Sequence, residues 1–193
     1  MLDSNENHIA SIKKDPIYWR YNLKAVSAFI TRDNINALLS DNGIQEEIGL
    51  LSIDIDGNDY WVWEAITCIS PAIVIIEYNS RFGAEKAVTI PYQENFTRIQ
   101  AHYSMLYYGA SLRALYLLGQ KKGYVFVGCN SAGNNAFFVR QDLMPDTLKS
   151  QTVKEGFVAA QFRLACDEHG QLAYLSTKEE QRILEQLPVI SVE

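Results

Sequence analysis

The sequence predicts an α/β fold: a mostly parallel sheet that ends in an antiparallel hairpin. Three observations carry this. Apolar residues switch between strand-like runs and helix-like spacing along residues 25–140. The run Ala72-Ile-Val-Ile-Ile-Glu77 is almost unbroken, as in strands buried on both faces of a helix-covered parallel sheet. Two late β-rich runs, Tyr124–Gly128 and Asn135–Arg140, are joined by the short connection Asn130–Asn134, which is hairpin spacing.

The first strand is expected at Ala25–Thr31, rich in residues that suit a pleated surface. Asp33 or Asn34 then caps a short helix through Leu38 and Leu39, stopped by the Asn42-Gly43 turn signal. A strand over Gly49–Asp54 follows, and a helix from Asp59 to about Cys68. Pro71 introduces the apolar strand that ends at Glu77. From Asn79 to about Tyr108, Gly83, Pro91 and the absence of clean periodicity mark a long loop, a length typical of lids and binding loops. Ser111, Leu112, Leu115 and Leu118 restore helical spacing, which closes at Gly119–Gly123 before the hairpin. Beyond Pro145 the pattern weakens. Residues 146–193 read as a C-terminal extension with helical fragments at Val153–Leu164 and Lys178–Leu187, packed on a domain formed by residues 1–145.

Composition sets limits on function. Lys plus Arg number 17 against 23 Asp plus Glu, a net charge of −6, which argues against a sequence-independent grip on nucleic acid. No apolar run approaches the roughly 20 residues that cross a bilayer, and the first residues lack the order of a secretory signal. Cys68, Cys129 and Cys166 are odd in number and widely spaced, so they read as reduced thiols of a cytoplasmic chain. His8, His102 and His169 are too scattered for a local metal motif, and no metal is expected.

The densest chemical signal is Leu50-Leu-Ser-Ile-Asp54-Ile-Asp56-Gly57-Asn-Asp59, where a strand gives way to a helix. Ligands of open α/β sheets bind beyond the carboxyl ends of the strands. Gly57 allows a tight turn, and Asp59 suits a helix N-terminus. Crowded carboxylates raise one another's pKa, which suits a general base, a hydroxyl binder or a hard cation. Asp56 and Asp59 also read as turn and cap residues. Glu77-Tyr78-Asn79 ends the greasiest strand, and a carboxylate there needs donors, either from a substrate or from an arginine such as Arg81. Asn130 and Asn134 are either ligand contacts or turn formers. Tyr92, Phe96, His102, Tyr103, Tyr107 and Tyr108 form either a wall over a substrate or the anchor of the loop; of Trp61 and Trp63, at least one belongs to the core.

In the order and spacing of these segments, residues 3–140 resemble the FkbM-type group of class I S-adenosylmethionine-dependent methyltransferases, with their Rossmann-like sheet. Asp54-Ile-Asp56-Gly57-Asn-Asp59 looks like the end of that group's fourth strand, with Asp in place of the more usual Glu. Val74-Ile-Ile-Glu77-Tyr-Asn79 looks like its fifth strand, and Lys122-Gly-Tyr124 through Asn135-Ala-Phe-Phe-Val139 like its closing hairpin. The resemblance implies S-adenosylmethionine as cofactor, with Asp3, Asp33 and Asp54 as its contacts. It implies catalytic roles for Asp56, Asp59 and Glu77, substrate contacts from Asn79, His102, Tyr103 and Asn130, and methyl transfer to oxygen of a small molecule or sugar.

The family's glycine-rich turn is absent here, since no Gly-x-Gly precedes residue 25. The resemblance therefore implies an N-terminally truncated sheet without its central first strand, and puts cofactor binding in question. The neighbouring strands are then expected to pair directly across the gap, or a partner, such as a second copy, to cover it. Two other readings stand beside this one. A non-catalytic assembly domain would keep the fold without the cofactor. The Asp54-x-Asp56-Gly57 run also resembles the opening motif of haloacid-dehalogenase-type phosphatases, although Asn58 replaces their usual Thr or Val.

Overall fold

The computed structural model describes residues 1–193 and is mixed α/β. The chain opens with strand β1 (Leu2–Asp3), helices α1 (Glu6–Lys14) and α2 (Pro16–Arg20), and strand β2 (Val26–Ser27). Helix α3 (Ile35–Asp41), strand β3 (Glu46–Ile53), helix α4 (Asp59–Ala65) and strand β4 (Ile69–Glu77) follow. The long loop holds a 3-10 turn at Ser80–Phe82, strand β5 (Val88–Thr89) and helix α5 (Arg98–Ala101). Helix α6 (Leu112–Lys121) leads into β6 (Tyr124–Cys129) and β7 (Asn135–Arg140); the C-terminal segment holds α7 (Val153–Gly156), α8 (Thr177–Leu184) and β8 (Ile190–Ser191). No helix is long and apolar enough to cross a membrane.

The main sheet has the order β3-β4-β7-β6: β3 runs parallel to β4, and β7 pairs antiparallel with both β4 and β6, so the expected hairpin forms within a mixed sheet. β1 and β2 form a separate parallel pair. Direct pairing across the expected gap is therefore not what the chain adopts: β1 and β3 share no ladder, and β3 is an open edge. The strand expected over Ala25–Thr31 shrinks to Val26–Ser27, because the Thr31 and Asn34 side chains already bond each other's backbone N–H groups and turn the chain toward α3.

Burial on both faces of β4 is a second expectation that fails. Val74 and Ile76 are fully buried on one face, whereas Ile73 on the other is 40% exposed. The reason is the placement of the helices: α3, α4 and α6 pack Leu39, Trp63 and Leu115 against Val74, Ile76, Phe126 and Phe138, all on one face. Pro71 lies inside β4 rather than before it. Pairing with β7 begins only at Ile73, so a residue without an N–H is tolerated there.

A second core gathers Phe82, Ile90, Phe96, Leu106, Tyr107 and Tyr108 of the long loop with Ala165 and Leu184 of the C-terminal segment. Most loop aromatics therefore anchor the loop, and Trp63 is the core tryptophan. The segment also supplies β8, which pairs with β5 and which its own sequence does not signal. The helix expected over Val153–Leu164 stops at Gly156. A Cβ on Gly156 would collide with Phe126, and the Tyr78 hydroxyl donates to the Val158 carbonyl at 2.6 Å just beyond the helix.

Candidate functional site

The turn between β3 and α4 is built around Asp59. Its carboxylate accepts the N–H groups of Ile55 and Gly57, each at 3.0 Å, and the residue is completely buried. Burial, partly offset by those bonds, holds its carboxyl above the ordinary range. The bonds clamp the turn so that Asp56 takes a left-handed backbone, φ 56°. Gly57 itself has no positive φ, so the expected reason for a glycine is wrong. A Cβ there would strike the Phe96 ring.

Clamped in this way, the turn forms one wall of a groove of ≈ 700 Å³. Asp54, Asp56 and Asn58 line it from the end of β3, and Asp3 and His8 line it from the end of β1 and from α1. Thr97 and Arg98 of the long loop and Leu164 and Cys166 of the C-terminal segment complete it. Asp54 is open to solvent yet crowded by protein atoms; that crowding raises its carboxyl pKa, Asp56 raises it further and Arg98 lowers it. The expected mutual repulsion is thus present but second to desolvation. The Asp3 carboxylate accepts the Asn5 N–H at 2.7 Å and lies 3.1 Å from His8 Nδ1.

Behind the groove, Glu77 is buried at the end of β4, with Oε2 lacking a protein partner. Burial first, then repulsion from Asp59, Asp54 and Asp56, pushes its carboxyl upward, toward the neutral acid. The ion pair expected with Arg81 does not form; Arg81 Nε reaches Glu180 at 3.0 Å instead. Arg98 donates from Nε to the Met105 carbonyl at 2.7 Å and from Nη1 to Asp56 at 3.0 Å. Asn58 Oδ1, Thr97 Oγ1, Arg98 Nη2 and Tyr108 Oη are likewise buried without a partner. Three of these four belong to residues lining the groove, but the atoms themselves lie buried beneath its surface.

Of the residues singled out from sequence, the groove brings together Asp3, Asp54, Asp56 and the ring of Phe96, which also belongs to the second core. Asp59 faces the turn rather than the groove. Asn79 is fully buried and spent on structure, donating to the Leu106 and Tyr108 carbonyls and accepting the Arg81 N–H. Asn130 closes the β6–β7 hairpin by accepting three N–H groups, those of Gly133, Asn134 and Asn135. Asp33 is exposed and bonds the Tyr92 hydroxyl outside the groove lining. His102 bonds Ser104, and Tyr103 packs on the His102 ring; neither lines the groove. Asn58, Thr97 and Arg98 were missed, although a Thr-Arg pair inside an aromatic loop was a signal that could have pointed to them. No family model matches the chain, and neither the curated proteins nor the solved structures compared with it give a match.

Proposed function

We propose that the chain is a methyltransferase-type domain whose groove takes S-adenosylmethionine and a small hydroxylated acceptor. One observation carries the reading: carboxylates at the ends of two separate parallel pairs, Asp3 as the last residue of β1 and Asp54 and Asp56 just after β3, line a single groove. Acceptors in that arrangement suit the hydroxyls and the positive charge of such a cofactor. The fit is incomplete. The first glycine of the chain is Gly43, so the β1 side of the groove offers no bare backbone to a methionine moiety.

The cofactor would supply the methyl group. The chain's part is to position and desolvate the reactants and to take up the acceptor's proton. Asp54, whose carboxyl pKa is raised by burial and by Asp56, suits uptake of that proton, and Asp56 is fixed by Arg98 for hydrogen bonding. Calorimetric titration with S-adenosylhomocysteine tests the reading: heat is expected, and Asp3→Asn and Asp54→Asn should each weaken it about tenfold. No heat at millimolar ligand would leave the non-catalytic assembly domain, which the internal commitment of Asp59 and Asn79 favours. A phosphatase using Asp54 and Asp56 is supported less, because no lysine accompanies them in the groove.

A further inference from the structure

Strands β1 and β2 pair with each other, so the chain leaves the fold after Asp3 and returns to it at Val26. Between them, α1 and α2 form an excursion that contributes to neither hydrophobic core. Over residues 4–24 only Ile9 is buried, and α2 buries nothing. Ile17 is 45% exposed, Trp19 70% and Tyr21 68%. Single exposed apolar side chains are ordinary on a protein surface, but three so close in the chain, an indole among them, form a patch.

The same stretch is basic in an acidic chain. Residues 12–24 hold Lys13, Lys14, Arg20 and Lys24 against Asp15 alone, whereas the whole chain carries a net charge of −6. All four cations are exposed, and none takes part in an ion pair. Asp15 caps α2, accepting the Ile17 N–H at 2.9 Å. The Arg20 guanidinium carbon lies 5.8 Å from the centre of the Trp19 ring, so charge and indole share one place.

We propose that the α1–α2 excursion docks on the surface of an anionic phospholipid bilayer. Each component of the patch has its counterpart there. Lys and Arg meet the negative headgroups, gaining about fivefold in affinity per cation. Trp and Tyr settle at the headgroup level, where the apolar body and the polar tip of each ring are both satisfied. Ile17 separates a bilayer from a nucleic acid. Bases stack on Trp19 and Tyr21 but find no aromatic surface on an isoleucine, whereas the acyl boundary accepts all three. Four cations track only a short run of phosphates, and the acidic remainder of the chain opposes a longer one. A bilayer need meet only the patch, since acids more than about 8 Å beyond it are screened at physiological salt. The contact is at the surface, since no helix is long and apolar enough to cross a membrane. The inference is independent of methyl transfer, because none of residues 12–24 lines the groove.

The test is co-sedimentation of the full chain with phosphatidylcholine vesicles, with and without about 30% phosphatidylserine. Half-saturation is expected at about 0.1–1 mM lipid with phosphatidylserine, and no binding without it to about 5 mM. Lys13→Gln with Lys14→Gln should weaken binding at least about tenfold, and Trp19→Ala and Ile17→Ser each about threefold or more. All four side chains are exposed, so the fold is not disturbed, and unchanged urea midpoints check that. No binding to phosphatidylserine vesicles at about 5 mM lipid, or equal binding without phosphatidylserine, would overturn the proposal. So would parent affinity in the Lys13 and Lys14 double variant. Tighter binding of a fluorescein-labelled single-stranded oligouridylate, unaffected by Ile17→Ser, would overturn it in favour of nucleic acid.

Discussion

The Arg98 guanidinium carbon lies 3.7 Å from the centre of the Tyr108 ring, and the same side chain reaches back to the Met105 carbonyl. Met105 has a left-handed backbone, φ 60°, which a non-glycine residue holds only when its surroundings fix it. Arg98 therefore braces a strained loop as well as facing the groove. Arg98→Ala leaves the Met105 carbonyl short of a donor and removes the stacking, an expected loss of about 2–4 kcal/mol. Arg98→Lys should recover only part of it, since an ammonium cannot stack flat on Tyr108 while bonding two oxygens. Urea melts of the parent and both variants decide this, and an Arg98→Lys midpoint equal to the parent's would refute the bracing role.

Gly57→Ala tests why that glycine is there. Its Cβ would enter the Phe96 ring, so the variant should lose about 1–3 kcal/mol through overpacking. In a Phe96→Ala background the same change should be nearly neutral, giving a coupling energy above about 1 kcal/mol. An unchanged penalty in that background would mean that the turn, not the ring, requires glycine.

Much of this arrangement was legible in the sequence, and the failures have physical causes. The hairpin and the strand-turn-helix at Asp54–Asp59 were readable because their signals are local: turn residues between apolar runs. The roles of Asp59, Asn79 and Asn130 were not. An isolated Asp or Asn reads the same whether it bonds a ligand or its own backbone, and here all three bond backbone. The half-covered sheet was illegible for another reason. The run Ile73-Val-Ile-Ile76 is apolar on both faces, but whether helices cover both depends on where α3, α4 and α6 dock.

Glu77 predicts a pH dependence whose sign can be worked out. Its carboxyl is raised in the folded chain, so between the ordinary glutamate range near pH 4.5 and its raised value the folded state holds the extra proton. Stability from this group is complete below about pH 4.5 and falls as pH rises toward the folded pKa. Glu77→Gln carries no proton to lose. It should match the parent at pH 4.5 and exceed it at pH 7–8 by about 1–3 kcal/mol. Melting curves across about pH 4.5–8 check this, and parallel curves for the two proteins would show that Glu77 ionises without penalty.

The C-terminal segment is held to the sheet by a charge that cannot be left alone. Arg81, just past β4, has a side chain only 4% exposed, and its Nε meets Glu180 of α8 at 3.0 Å. Its Nη2 donates to the Phe162 carbonyl at 3.3 Å. Removing one partner of a buried pair strands the other charge, so Glu180→Ala should cost about 3–5 kcal/mol. Replacing both partners together, as Arg81→Met with Glu180→Leu, should cost far less, because no charge then remains to be solvated. The difference separates pairing from packing. Limited proteolysis adds a local readout: in Glu180→Ala, cuts should cluster within 157–176 while the β3-β4-β7-β6 sheet stays intact. If the double variant is as unstable as Glu180→Ala, apolar packing around α8 rather than the ion pair holds the segment in place.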